Sequence, residues 1–161
     1  MATLTGAEAR AAFAGSRVAR LATVDADGRP HLVPVVFAVT GDTVVTAVDH
    51  KPKRTTRLKR LANIEANPAV CLLVDAYDEE WEHLWWARAD GTARVLPPAS
   101  DASDACDASD TTGASGAADA ARSAELLGLL VEKYGHHYAG RPPRGPVTEV
   151  TVGRWSGWRL G

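Results

Sequence analysis

The residues best suited to chemistry form one basic stretch, KPKRTTRLKR, at positions 51–60. It holds six of the 18 basic side chains of this 161-residue chain and no acidic one, although the net charge is −2. It follows an apolar run typical of a strand and continues into a helical pattern. Backbone N–H groups at a helix N-terminus and the helix dipole both favour a bound anion. We therefore predict a site for a phosphorylated, multiply anionic ligand, with five contributing cations: Lys51, Lys53, Arg54, Arg57 and Arg60.

Two other interpretations of this stretch stay open. A charged run can be the solvated face of a helix, but exposed helices usually mix both signs and this run contains no acid. A basic cluster can also bind the phosphates of a nucleic acid. The chain is acidic overall, however, and the cluster has no aromatic residue on which a base could stack. We therefore expect a small-molecule ligand and no nucleic-acid partner.

The remaining candidate residues give weaker signals. Five tryptophans fall into two groups, at 81–86 and 155–158, which suits packing at a subunit interface that also walls a flat aromatic ligand. His136 and His137 are adjacent without a nearby Cys, Asp or Glu, so we expect surface residues and no metal site. The acidic run at 78–82 suits a solvated connector. The chain shows no Ser-His-Asp order, P-loop or Rossmann glycine fingerprint.

The elements that position the basic stretch can be predicted from periodicity and turn residues. Strand patterns occupy 18–24, 29–39, 43–48, 69–77, 84–96 and 147–160. The first two are joined by the DADG turn and form an antiparallel hairpin. Pro30 and Pro34 cannot donate ladder hydrogen bonds, so the second strand should be an edge or carry a bulge. The run 84–96 is either one long strand or a hairpin bent at Asp90-Gly91, and bends are expected at Gly153 and Gly157.

Helical patterns are fewer than strand patterns. A short helix begins after Thr5, with a capping-box spacing to Glu8. A second helix is expected from an N-cap at Thr55 or Thr56 to about Ala66, and a third over 118–134. The segment 97–118 is rich in Ala, Ser, Asp and Gly without a large apolar residue, which predicts a flexible loop. We predict a single domain over 1–161, mainly β in the α+β class, with about six antiparallel strands and two or three helices.

The cellular setting follows from what the sequence lacks. No apolar run approaches the roughly 20 residues needed to cross a bilayer, and the start of the chain is unlike a signal peptide. Cys71 lies in a strand pattern and Cys106 in the predicted flexible loop, so we do not expect a structural disulfide. We expect a cytoplasmic protein with no membrane partner.

Three segments together resemble a known family: RLATVDADGRPHLVPVVFAV, TAVDHKPKRTTRLKRLANIEANPAVCLLVDAYDEEW and LWWARADGTARVL. They resemble the split β-barrel flavin/deazaflavin oxidoreductase superfamily. Within it the chain is similar to the actinobacterial class of pyridoxamine 5'-phosphate oxidase-like proteins that use coenzyme F420. The likeness covers about residues 5–96 and the final strand, and it implies an FMN-binding type of split barrel. The segment 97–118 departs from the family pattern.

The resemblance implies a homodimer with its sites at the subunit interface. The five cations of the basic stretch would hold the phosphate and the acidic tail of the cofactor. The ring would lie along the second and third strands, with further residues contributed by the partner chain. The implied ring contacts are His31, Pro34, Val35, Thr46, Ala47 and Val48, and the implied partner contacts are Trp85, Trp86 and Arg88.

The implied activity is hydride transfer between F420 and an unidentified organic substrate. F420 suits five cations better than FMN does, because it adds a glutamate tail to the phosphate. The cofactor carries the difficult step in such enzymes, and we assign no catalytic residue. Two alternatives stay open. One is an FMN enzyme of the pyridoxamine-phosphate-oxidase type, and the other is a non-catalytic protein that binds F420 or a tetrapyrrole.

Overall fold

The computed structural model describes residues 2–49, 58–99 and 111–161, without the side chains of 111–114. Lys51, Lys53, Arg54 and Arg57 therefore lie outside the described residues. The strands are β1 (Ala2–Leu4), β2 (Ala19–Val24), β3 (Pro30–Val35), β4 (Ala38–Thr40), β5 (Thr43–Ala47), β6 (Ala69–Ala76), β7 (Trp85–Leu96) and β8 (Val147–Arg159). The helices are α1 (Gly6–Gly15), α2 (Lys59–Ala66), α3 (Thr111–Lys133) and α4 (Gly135–Tyr138), with a short 3-10 turn at Trp81–His83.

All of the described strands belong to one antiparallel sheet. Their order is β3-β2-β6-β7-β8-β5-β4, and β1 adds to β8. This confirms the predicted mainly β, α+β split-barrel fold. The sheet has eight strands where six were predicted, because β1 was missed and the run 29–39 divides into β3 and β4. The prolines behave as expected: Pro30 and Pro34 lie in β3, at one end of the strand order, where a missing donor costs least.

The long pair β7 and β8 forms the spine of the sheet. Its register shifts between Asp90 and Gly91, which pair with Arg154 and Val152, so Gly153 is the extra residue of a bulge. A side chain at Gly91 would overlap the Thr151 carbonyl oxygen. Residues 85–96 therefore form one long strand and not a hairpin, and the irregularity predicted at Gly153 is confirmed as a bulge.

The three predicted helices are present, but two of them begin at residues other than those predicted. The Thr5 and Glu8 capping box of α1 is present. Helix α2 ends at Ala66 as predicted, but it begins at Lys59, with Leu58 as an extended N-cap that makes no side-chain hydrogen bond. The predicted earlier start is therefore wrong, and the predicted cap residues Thr55 and Thr56 lie outside the described residues. Helix α3 begins at Thr111, inside the predicted 97–118 loop. Its first turns are rich in alanine, which forms helix well without showing an apolar period.

Two groups of buried side chains hold the domain together. Phe13 of α1 packs on Phe37 and Trp155, with ring centroids 4.8 and 5.3 Å apart. The second group joins α3 to β4, β5 and the end of β7 through buried residues that include Leu126 and Leu130. No helix among the described residues is long and apolar enough to cross a membrane.

Candidate functional site

A cleft of about 510 Å³ lies where β5 ends and α2 begins. We call it the Arg60 cleft. Residues from β3, β5, α2 and the segment before β8 form its walls: Val18, Pro34, Val35, Val36, Thr46, Ala47, Val48, Asp49, Leu58, Arg60, Leu61, His137 and Pro146. Most of them are apolar, which suits a cleft that excludes water around a ring.

The structure brings six of the predicted site residues together in this cleft: Pro34, Val35, Thr46, Ala47, Val48 and Arg60. They come from three separate elements, and Thr46 and Ala47 are buried. The other four cations of the prediction lie outside the described residues. Cofactor binding by this set stays a prediction.

Backbone contacts bring a late segment of the chain onto the cleft wall. The N–H of Val48 donates to the carbonyl of Pro146 at 3.1 Å, and the N–H of Gly145 donates to the carbonyl of Val48 at 3.3 Å. A Cβ at Gly145 would come within 2.7 Å of the Val48 Cβ, so a glycine is needed for this close approach. The approach places Pro146 and, from α4, His137 in the cleft.

The charges in the cleft act on one another. Burial lowers the pKa of Arg60, and the negative charge of Asp49 opposes that shift. An arginine side chain keeps its charge at neutral pH, so Arg60 supplies a partly desolvated cation. Burial raises the pKa of Tyr138 to about 12, and Asp49 adds to the effect. Asp49 therefore lies within electrostatic reach of both groups.

Two oxygen atoms in this region are buried without a hydrogen-bond partner among the described residues. They are Oδ1 of Asp49 and the hydroxyl of Tyr138. Buried polar atoms usually have a partner, and each one without a partner is destabilising. A ligand that carries both negative charge and hydrogen-bond donors fits this combination of a cation and unpaired acceptors. The residues present therefore suit a phosphorylated cofactor.

The structure places the implied partner contacts away from this cleft. Trp86 and Arg88 lie on the outer surface of β2, β6 and β7, which we call the β2-β6-β7 face. Arg88 pairs there with Asp90, with Nε at 3.1 Å and Nη2 at 3.0 Å from Oδ2. A shallow apolar groove of about 590 Å³ covers this face and is lined by Arg20, Ala22, Leu32, Cys71, Leu73, Asp75, Trp86 and Arg88.

Trp85 and His31 also lie elsewhere. Successive side chains of a strand point to opposite faces, so Trp85 packs against the core and lines a different cleft, next to α1. His31 pairs with Thr23 across β2 and β3 and is absent from the lining of the Arg60 cleft. Within one chain, the structure does not bring these residues to Arg60.

Sequence reasoning missed several residues of the cleft. His137 was predicted as a surface residue; it is exposed, but it lines the cleft. Asp49 and Pro146 were not among the predicted site residues, although both line the cleft. The position of Asp49 directly before the basic stretch was an available signal. No local pattern shows that 137–146 returns to β5, because a long-range backbone contact determines it.

Comparison with known proteins agrees with this fold. A FAD-binding protein from Mesorhizobium loti has 19% sequence identity and a TM-score of 0.65, covering 99% of this chain and 98% of its own. The FAD-binding protein from Mycobacterium smegmatis has 19% identity and a TM-score of 0.57, covering 99% and 100%. The heme storage protein HutZ from Vibrio cholerae has 15% identity and a TM-score of 0.58, covering 90% and 87%. At these identities the likeness establishes the fold.

The family is established by sequence. The family model described as pyridoxamine 5'-phosphate oxidase matches residues 5–159, nearly the whole chain. This match includes the basic stretch, both walls of the Arg60 cleft and the β2-β6-β7 face. The chain therefore belongs to the pyridoxamine 5'-phosphate oxidase family.

Proposed function

We propose that the protein is an F420-dependent oxidoreductase that transfers a hydride between the deazaflavin and a small organic substrate. One observation carries the proposal: Arg60, the last residue of the basic stretch, and the end of β5 line a single cleft. The phosphate and acidic tail of F420 would meet Arg60 and the preceding cations. The ring would lie along β5 at Thr46–Val48.

The bound cofactor would supply the hydride chemistry, since C5 of the deazaflavin accepts or releases the hydride. The protein residues would bind, orient and exclude water. Val35, Val48 and Leu61 give the cleft apolar walls, and electrostatic attraction is stronger where water is excluded. Arg60 would orient the anionic end of the cofactor by charge-assisted hydrogen bonds.

A homodimer is part of this proposal. Trp86 and Arg88 do not reach the Arg60 cleft within one chain, so their proposed role needs a second copy. The β2-β6-β7 face offers a contact surface, since its groove is apolar and the Leu32 side chain is 65% exposed. An exposed apolar groove of this kind is typical of an interaction surface. This supports a two-fold dimer in which each chain completes the other's site.

Two other ligands are supported by specific observations. FMN or FAD is favoured by the similarity to FAD-binding proteins, and either would need the same anion site. A tetrapyrrole is favoured by the similarity to a heme storage protein and by His137, an imidazole that lines the cleft. In that case the protein would carry its ligand without turnover.

Titration of the purified protein with F420, FMN, FAD and hemin tests the proposal. Ligand fluorescence reports the first three, and the Soret band reports hemin. The proposal expects micromolar binding of F420 that weakens between low and high salt, because the site is electrostatic. Tighter binding of FMN or FAD than of F420 would identify a flavin as the cofactor in place of F420. Binding of hemin alone, without reduction of any acceptor by reduced F420, would favour carriage.

A further inference from the structure

The proposed function assigns no role to Asp49. Of the described residues that line the Arg60 cleft, it alone is acidic, which is unexpected in a site for an anion. Its Oδ1 atom is buried, and no described residue donates a hydrogen bond to it. Leaving a buried carboxylate oxygen without a donor is unfavourable. A donor supplied by the ligand removes this cost.

Among the described residues, the surroundings of Asp49 do not supply that donor. The nearby Tyr138 hydroxyl is itself buried without a hydrogen-bond partner, and the negative charge of Asp49 helps to raise its pKa. Arg60 feels the same charge from within the cleft. Asp49 therefore lines the cleft beside a cation, with one carboxylate oxygen buried and without a hydrogen-bond donor.

The place of Asp49 in the chain indicates which part of a ligand it meets. It directly follows Thr46–Val48, where the ring is proposed to lie, and precedes the basic stretch proposed to hold the phosphate. In F420 and in FMN, a polyol chain joins the ring to the phosphate. We infer that the Asp49 carboxylate accepts hydrogen bonds from the hydroxyl groups of that polyol. This inference rests on the proposed function, and it makes Asp49 a residue that selects polyol phosphates over simple anions.

The substitution Asp49→Asn tests the inference, because the presence and the absence of a contact with the ligand predict changes in affinity of opposite sign. If Asp49 made no contact with the ligand, removing its negative charge would strengthen the binding of every anion. If it accepts hydrogen bonds from the polyol, F420 and FMN should bind about tenfold more weakly or worse, since bonds to a charged acceptor are strong. Tripolyphosphate has no polyol, and its affinity should stay equal or rise. Glu79→Gln, an exposed site outside all three clefts, controls for the change in net charge.

A second test changes the ligand and not the protein. A flavin phosphate whose linker lacks hydroxyl groups should bind wild type about tenfold more weakly than FMN, and should bind Asp49→Ala with the same affinity as FMN does. This comparison remains valid on wild type if the variants fail to fold, which circular dichroism would show. Unchanged or tighter binding of F420 and FMN to Asp49→Asn would overturn the inference alone. Failure of wild type to bind either cofactor would overturn the proposed function, and the inference with it.

Discussion

Arg122 and Glu149 are joined by a paired hydrogen bond: Nε and Nη2 of Arg122 each lie 2.8 Å from Oε1 of Glu149. Arg94 makes the matching contact with Oε2 of Glu149: its Nε and Nη2 each lie 2.7 Å from that atom. One carboxylate of β8 therefore connects α3 to β7 through two guanidinium groups. Glu149 is 7% exposed, so the charge is held in a site with little access to water.

Removing this charge should destabilise the fold. Glu149→Gln keeps the shape of the side chain, but it replaces charge-assisted bonds by an amide that presents N–H groups to two guanidinium donors. We expect a loss of about 1.5 to 3 kcal/mol in the free energy of unfolding, measured by urea denaturation. Glu125→Gln is the control, since Glu125 also pairs with Arg122 but is exposed, and it should cost less than about 1 kcal/mol. Equal losses would contradict the prediction.

The same residue should contribute to acid sensitivity. Burial alone would raise the pKa of Glu149, but the hydrogen bonds from Arg122 and Arg94 outweigh it and lower that pKa below its usual range. A carboxyl with a lowered folded-state pKa stabilises the fold fully above its unfolded pKa, and loses that contribution as the pH falls through the folded value. Wild type should therefore lose more stability than Glu149→Gln between about pH 6 and about pH 3. Parallel urea midpoints across that range would show that other carboxyls account for the acid sensitivity.

Local patterns predicted most of the fold. The Thr5 and Glu8 capping box, the turn at Gly28, the edge prolines and the bulge at Gly153 each follow from the stereochemistry of a few neighbouring residues, and each is present. The start of α3 was missed because the prediction relied on such local patterns. An alanine-rich helix carries helix propensity without an apolar period, and the period was the signal used.

The site was less predictable than the fold. The residues of β3 and β5 that share the cleft with Arg60 were implied by the family resemblance and by no local pattern. His137 and Pro146 depend on the close approach of Gly145 to Val48, two residues almost 100 positions apart. No short-range pattern encodes such a contact. The separation of Trp85 from Trp86 could have been predicted, since neighbours in a strand point to opposite faces.

Gly91 should be sensitive to substitution for a steric reason. Gly91→Ala would drive its Cβ into the Thr151 carbonyl at the register shift, and we expect a loss of about 1 to 3 kcal/mol in thermal or urea unfolding. Gly128→Ala, in α3 with no neighbouring atom near the added methyl group, should instead gain up to about 1 kcal/mol. The two substitutions should therefore change the free energy of unfolding in opposite directions. If both variants gained stability, the strands could separate to accommodate the methyl group.

The proposed dimer makes a prediction about Leu32. A carboxylate at this exposed apolar position would need to be desolvated in the contact, so Leu32→Glu should convert a dimer into a monomer. Light scattering coupled to size exclusion measures the mass. Val131→Glu changes a partly exposed apolar residue on α3, away from this face, and should leave the mass unchanged. A monomeric wild type would refute the dimer, and a dimeric Leu32→Glu would place the contact on another face.

The proposed anion site makes a prediction about two adjacent cations of α2. Arg60 lines the cleft, whereas Lys59 is exposed and its Nζ lies 3.5 Å from Oδ2 of Asp25. Arg60→Met and Lys59→Met therefore remove the same charge, one residue apart, from different surroundings. We expect Arg60→Met to weaken F420 binding by about 1.5 to 3 kcal/mol, as for a charge-assisted hydrogen bond. Lys59→Met should change it by less than about 1 kcal/mol. Fluorescence titration measures both, and equal losses would mean that the ligand responds to the net charge of the helix and not to a contact with Arg60.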